Sequence, residues 1–546
     1  MTLQEYDIIF ILPYPFSDHP SFPEGVLYRS LSREGFRIGV VETPDRRDRS
    51  AFSRLGKPRL FFAVIPGPVD STILNYTSLR KRRAEDRYQY RGKAFFEGAP
   101  PSIGSRIRPD RTVIEFSQRI RRDFKEASIL TGGVEASMRR FAHYDFQQDS
   151  IRRSILLDSR ADLLVVGIGE KQMIRIARMA REGMLLREMT FPGTARVTGE
   201  APGGDGWINL PSFEEIDKDP SVLLQSQLAL EKALSSGKGV FQLHGNRFVV
   251  QEAMETYSGR DLDTACSFRY IRAHPDRKDF SPALRMNLFS VTSHRGCGGG
   301  CAFCTVGAHE GKRVVSRSME SILDEIAGFR SHSQWKGIVS DVGGASAEMY
   351  MSGCVETDCR RPSCLHPRKC PRMKTGEAYL HLLRECRKIK AVRKVFVGSG
   401  LRHDLLIENP ELLEEIMIRH SGRFLRIAPE HSEERVLAMM RKPPFEILEE
   451  FVRLFDGINK RLARKIQLAP YLIVGHPGET REDVVSMKKK FGSLGLSTSG
   501  VQVFTPSPGS LSTAMYVARR SPGGKEIPVE RRIRELAWRK AFLTSI

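Results

Sequence analysis

The segment Cys297-Gly-Gly-Gly-Cys301-Ala-Phe-Cys304 constrains this chain more than any other stretch of it. Three thiols fall within eight residues, at x3 and then x2 spacing, with an aromatic just before the third. Thiolate is the soft ligand that iron–sulfur clusters use. Three thiolates on one loop serve three irons of a cubane 4Fe–4S cluster and leave the fourth iron open to an exchangeable ligand. The glycines between the first two cysteines let the backbone wrap closely without a Cβ clash. A zinc loop or three free cysteines are the alternatives. A structural zinc site draws four protein ligands, one more than this loop offers.

A second group, Cys354, Cys359, Cys364 and Cys370, puts four thiols into 17 residues. They suit a tetrahedral metal site or another cluster, and free thiols so clustered would oxidise readily. The x4, x4, x5 spacing is not the paired x2 pattern of a zinc ribbon, and it leaves zinc and iron both open. A second 4Fe–4S cluster here would have every iron ligated by protein. Seven of nine cysteines in two tight groups point to metal ligation in a reducing compartment, not to a disulfide framework. Cys266 and Cys386 stand alone and read as packing residues.

With 546 residues the chain is expected to form two or three domains. No apolar run approaches the ~18–20 residues that span a bilayer, and the N-terminus lacks the basic-then-apolar order of a signal peptide. A cytoplasmic protein with no membrane partner is expected. The formal charge, 86 − 65 = +21, favours anionic partners, RNA first among them. The basic residues are dispersed, and the best local candidate is Arg80-Lys-Arg-Arg83 running on through Arg87-Tyr88-Gln-Tyr90-Arg91.

Residues 1–204 read as an α/β domain. Short apolar runs at Ile8–Leu12, Arg37–Val41, Phe61–Ile65, Ser128–Thr131 and Leu163–Val166 alternate with helical patterns, which implies a doubly wound parallel sheet. Residues 205–285 read as a helical connector beside the next domain, with a short hairpin at Gln242–Val250 and an exposed turn at Pro275–Asp279. From 286 to 515, six strand-and-helix units recur, their strands near 288–293, 337–341, 394–398, 424–428, 467–475 and 500–504. Six such units imply a (βα)6 partial TIM barrel with chemistry at the strand carboxyl ends. The first cysteine loop follows the first of those strands, and residues 350–375 form a Cys-rich insertion. A basic C-terminal segment, 516–546, completes the chain.

The cysteine loop with Phe303 is the signature of the radical S-adenosylmethionine (radical SAM) superfamily, and the chain resembles that superfamily closely. The resemblance implies that SAM chelates the open iron and is reductively cleaved to a 5′-deoxyadenosyl radical. It further implies that SAM lies against Phe303, Gly343 and Gly344 after the second strand and Ser399 after the third. Arg426 and Glu430 on the fourth strand and Gly475, Pro477 and Gly478 after the fifth complete the implied set. The stretches Asp18–Phe22, Arg108–Arg111, Thr131–Asp145, Ser293–Cys297 and Phe504–Gly509 are similar to the YgiQ-type family within that superfamily. That family's substrate is not assigned. Histidines 294, 366, 403, 431 and 476 lie beside the motifs and read as supporting groups.

The N-terminal region is similar to the cobalamin-binding domains that precede some radical SAM methylases. Their DxHxxG element is missing, and Asp18-His19-Pro20 sets acid and imidazole side by side, so cobalamin is not expected. The implied activity is a radical SAM enzyme, supplied with electrons by a reductant such as flavodoxin or ferredoxin and acting on RNA, a ribonucleoprotein or another substrate. The alternative is a non-catalytic iron–sulfur factor that binds RNA or senses redox state.

Overall fold

The computed structural model describes residues 5–545 apart from 100, 103, 279, 355–358, 360 and 464. Asp279 of the expected turn and part of the Cys-rich insertion therefore lie outside the described residues. The chain divides into two compact units, one running to Thr256 and including Thr264–Leu288, the other formed by Tyr257–Asp263 and the chain from Phe289 onward.

In the first unit, β1 (Ile8–Leu12), β2 (Ile38–Glu42), β3 (Phe61–Val64), β4 (Ile129–Thr131) and β5 (Leu163–Val165) form a parallel sheet in the order β2-β1-β3-β4-β5. β1 and β3 are buried along their whole length, because parallel strands covered on both faces need continuous apolar runs. The faces separate by alternation. Ile9 and Ile11 pack with Val113, Phe116 and Ile120 of helix Thr112–Asp123. Ile8, Phe10 and Leu12 pack with Met173, Ile176 and Ala177 of helix Glu170–Arg181. The unit is a doubly wound α/β fold, as its strand pattern implies.

The sheet then continues through β6 (Thr194–Thr198), β7 (Trp207–Leu210), β8 (Gly239–His244) and β9 (Arg247–Gln251), in the order β5-β6-β9-β8-β7. The pairings β5–β6, β6–β9 and β9–β8 are antiparallel, and β8–β7 is parallel. The stretch 205–285, read from sequence as a helical connector, thus carries three strands of the first unit's sheet.

Ligands of open α/β sheets sit in the crevice beyond the strand carboxyl ends. Here Gln89 and Arg108 reach the carbonyls just past β1 and β3. Pro13 O accepts from Gln89 Nε2 at 2.5 Å and Pro66 O from Arg108 Nη1 at 3.0 Å. Arg108, 1% exposed, is paired with Asp86 at 2.8 Å and stands over the Tyr14 ring. Within the basic run, Asp86 and Gln89 are the buried anchors, while Lys81, Arg82, Arg83, Arg87 and Arg91 are exposed. The aromatics between them turn inward, Tyr88 onto Tyr14 and Phe22 and Tyr90 onto His274.

In the second unit, β10 (Ser290–Thr292) pairs parallel with β12 (Asp341–Gly343), and β11 (Ile338–Val339) pairs parallel with β13 (Lys394–Val395). A parallel bridge, Leu401 to Ile427, leads to β14 (Phe424–Glu430), then β15 (Gln467–Val474) and β16 (Val501–Val503). The strands therefore follow chain order around a partial barrel. On the last three, Leu425, Ile427, Leu468, Leu472, Val474 and Val501 are buried. The alternate residues Phe424, Arg426, Tyr471 and Gln502 are exposed on the other face. Among the described residues no helix is long and apolar enough to cross a membrane.

The first unit also carries a titrating group in its core. Glu24 accepts from Tyr14 Oη at 2.8 Å and from Ser17 N at 3.2 Å, and burial pushes its carboxyl up to about 8. A folded-state value above the unfolded one means the native state holds the extra proton between about 4.5 and about 8. Stability contributed by this site is accordingly lost as pH rises through that window. Glu24→Gln, which stays neutral, should gain on the native sequence steadily from pH 5 to pH 8 in urea denaturation. Parallel stability curves would show that Glu24 ionises freely in the fold.

Candidate iron–sulfur and S-adenosylmethionine site

The cysteine loop leaves β10 and is fixed at both ends by backbone bonds. Ser293 N donates to Gly343 O at 2.8 Å and Cys297 N to Gly311 O at 3.1 Å. Further on, Ala302 N donates to Met440 O and Ala302 O accepts from Ser512 N. Gly296 adopts φ +83°, and a Cβ there would lie 2.1 Å from Arg313 O, so only glycine can turn the chain into the loop.

The three glycines inside the loop have different jobs. A Cβ on Gly299 would sit 3.2 Å from Arg402 Nη1, 3.3 Å from Cys297 Sγ and 3.8 Å from Cys301 Sγ. Gly299 therefore keeps clear the space beside two of the thiols. Gly298 and Gly300 face elsewhere. Added carbons would press on Cys364 at 3.3 Å and on Pro362 O at 2.6 Å, which belong to the second cysteine group's loop.

Around the thiols the structure places charged groups that motif reading left without a role. Arg402 Nη1 donates to Cys301 Sγ at 3.5 Å, and its fork engages both oxygens of Asp404 at 3.0 and 2.7 Å. Burial opposes the charge on Arg402, but Asp404 and Cys301 outweigh it and hold the guanidinium firmly protonated. Arg402 N also donates to buried Glu348, whose carboxyl burial pushes up to about 7. Cys297 Sγ lies 3.9 Å from Met349 Sδ, and burial, with Cys301 beside it, pushes its thiol up to about 11. A thiol held this high stays protonated until a metal takes the proton's place. Cys304 is the most exposed of the three. Among the described residues no three His, Cys, Asp or Glu side chains gather round a single ion. Three thiols on one clear-sided loop, with a fixed cation against one of them, fit a cubane in which each sulfur takes its own iron.

The other residues expected at the site lie at strand carboxyl ends. Gly343 is kept bare by Ser399, whose Oγ a Cβ would meet at 2.8 Å, and Gly344 by the His294 ring. Ser399 Oγ donates to Asp341, which also accepts from Gly398 N at 2.8 Å, so Ser399 positions the loop after β13. Glu430 ends β14 with φ +70° and is buried, and burial pushes its carboxyl up against the pull of Lys442 and Arg402. Arg426 stands apart on the exposed face of β14. Phe303 is half-buried and Pro477 is buried, its carbonyl bonded to His476 Nδ1 at 2.8 Å. Gly475 and Gly478, both at positive φ, are crowded by Leu536 and Met439. The loop after β15 is held by Glu479, which gathers Gly475 N at 2.7 Å, His431 at 3.1 Å and Arg539 at 2.7 Å. Arg539 comes from the helix Ile533–Thr544, so the basic C-terminal segment braces this loop.

Comparison with known proteins gives the same two-part division. Residues 1–290 match the family model described as radical SAM N-terminal, and residues 291–491 match the radical SAM superfamily. A UPF0313 protein of Methanocella arvoryzae is 37% identical, the match covering 98% of this chain and 90% of the relative. One from Geobacter sulfurreducens is 38% identical over 99% and 89%. Among solved structures, the chain is similar to the radical SAM methyltransferase TsrM of Kitasatospora setae with cobalamin and a 4Fe–4S cluster bound. That likeness has a TM-score of 0.54 at 17% identity and covers 94% of this chain and 75% of that one. A second TsrM structure, with tryptophan substrate and a SAM analogue, matches at 0.51 over 92% and 74%. At this identity the likeness is one of fold.

The Arg402–Asp404 pair yields a stability test. Arg402→Gln leaves Asp404 buried and unpaired and should destabilise the protein by about 3–5 kcal/mol. Adding Asp404→Asn should recover most of that loss in thermal melts. Equal losses in the single and double variants would show that the ion pair does not hold this loop.

Proposed function

We propose that this chain, which belongs to the radical SAM superfamily and within it to the UPF0313 family, reductively cleaves S-adenosylmethionine on a 4Fe–4S cluster held by Cys297, Cys301 and Cys304. The observation that carries the reading is the loop itself: three thiols after the first barrel strand, with Gly299 bare beside the sulfurs of Cys297 and Cys301 and Arg402 bonded to Cys301. When bound, the cluster supplies the electron that breaks a carbon–sulfur bond of the sulfonium. The protein's own part is to hold and shield. Arg402 places a fixed positive charge against Cys301, and Asp404 keeps that charge in position. Gly343 and Gly344 offer bare backbone, and the open face carrying Arg426, Tyr471 and Gln502 receives the ligand's polar groups and the substrate. A reductant of the flavodoxin or ferredoxin class supplies the electron from outside, in a reducing cytoplasm.

RNA or a ribonucleoprotein is the first substrate class to test, on the +21 charge and the exposed basic residues between 81 and 91. The inward turn of Tyr88 and Tyr90 favours backbone contact over base stacking there. TsrM holds cobalamin in its solved structure. In this chain Tyr14, Asp86, Gln89 and Arg108 are buried, and Gln89 and Arg108 bond to the carbonyls just past β1 and β3. The fold is one that holds cobalamin in TsrM, so the absence of cobalamin expected from the sequence is not supported, and our reading assigns a corrinoid no role.

One anaerobic preparation tests both parts. Reconstituted with iron and sulfide and given dithionite and SAM, the protein should release 5′-deoxyadenosine, and Cys301→Ala should release none above background. Equal release from both proteins, or none from the native chain with its cluster spectrum restored, would leave the non-catalytic RNA-binding or redox-sensing factor as the better reading. Stoichiometric retention of added hydroxocobalamin would add a corrinoid to the cofactors of this reading.

A further inference from the structure

The four cysteines between 354 and 370 are not explained by the SAM site, nor by packing. The isolated Cys266 and Cys386 are buried, as packing cysteines are, whereas Cys354, Cys359, Cys364 and Cys370 are all partly exposed. None of them is in a disulfide. Half-exposed clustered thiols oxidise unless something occupies them.

Their loop is tied to the back of the first cysteine loop by a small built joint. Ser363, fully buried, donates its hydroxyl to Gly299 O at 2.7 Å and accepts from Leu365 N and His366 N at 3.0 and 2.9 Å. Cys364 N donates to Gly298 O at 2.8 Å, and Cys370 N to Cys364 O at 2.7 Å. Lys312 Nζ holds Cys359 O at 3.0 Å from the other side. Cys364 and Cys370 pack with Cys297 against Val314, Met349, Met373 and Leu405.

We infer that Cys354, Cys359, Cys364 and Cys370 hold a second iron–sulfur cluster, a fully thiolate-ligated cubane seated behind the first cysteine loop. A single zinc ion would gather four sulfurs at about 2.3 Å round one point. The described side chains here gather round no such point, as at the first loop. A cubane takes one thiolate per iron, and this stretch supplies four thiols at x4, x4 and x5 spacing, without the paired x2 knuckles of a zinc ribbon. Because every iron is protein-bound, this centre has no open position for SAM. The inference rests on the second loop alone and stands whether or not the first cluster cleaves SAM.

The test is metal counting on the full chain. Reconstituted native protein should carry about eight irons and about eight sulfides, and the variant C297A/C301A/C304A about four of each, with a reduced-state EPR signal that SAM does not alter. The converse variant Cys364→Ser should lose about half of the native iron and keep the SAM-responsive signal. If the triple variant fails to fold, Cys364→Ser decides, since an iron count that this substitution leaves unchanged from the native protein would overturn the proposal. Zinc in place of iron in the triple variant, or a folded triple variant without metal, would overturn it equally.

Discussion

Gathering three thiols on one loop leaves no room for side chains on the backbone between them, and three consecutive glycines meet that constraint, one on the thiol side and two against the neighbouring loop. Gly299 is bare because two sulfurs and a guanidinium stand beside it. Gly298 and Gly300 are bare because Cys364 and Ser363 lie against them. The first loop is thus squeezed between its metal-facing side and a second loop, and its conformation depends on both. Any side chain at 298, 299 or 300 would force one of the two contacts apart.

Around that loop the barrel ends are built from buried charge, placed where strands finish. Arg402 follows β13 and pairs with Asp404 two residues on, Glu430 ends β14 under the pull of Lys442 and Arg402, and Glu479 follows β15 with His431 and Arg539 from other elements as partners. Such groups stabilise little for their desolvation, but removing one partner leaves the other stranded. They therefore act as positional locks. The loops at the strand carboxyl ends are held by ion pairs and hydrogen bonds, while the barrel strands are held by apolar packing.

The strands were legible because burial on both faces leaves an unbroken apolar run, as in Ile8–Leu12 and Phe61–Val64. The added strands at 207–210 and 239–251 were not all legible. They lie toward the far edge of the sheet, and residues such as Asn209, Gln242 and Arg247 interrupt the pattern. At the site, the cysteines were readable from spacing alone, because ligands on one loop are local in sequence. Their supports are not local. The bond from Arg402 to Cys301 spans 101 residues, and that from Ser363 to Gly299 spans 64. The signal for Arg402 was its place just beyond a barrel strand, where a cation has a use. At Gly475 and Gly478 the need for glycine has a packing reason as well, since positive φ and the neighbours Leu536 and Met439 both exclude a side chain, and neither neighbour is local in sequence.

The central claim is that Cys297, Cys301 and Cys304 leave one iron open and that SAM takes it. The most direct measurement is the EPR spectrum of the dithionite-reduced Cys364→Ser protein, which isolates the first cluster, recorded before and after SAM is added. A changed g-tensor, with hyperfine coupling to isotopically labelled SAM methionyl nitrogen and carboxylate, is the predicted result. An unchanged spectrum at saturating SAM, from a protein whose iron count confirms the cluster, would contradict the account.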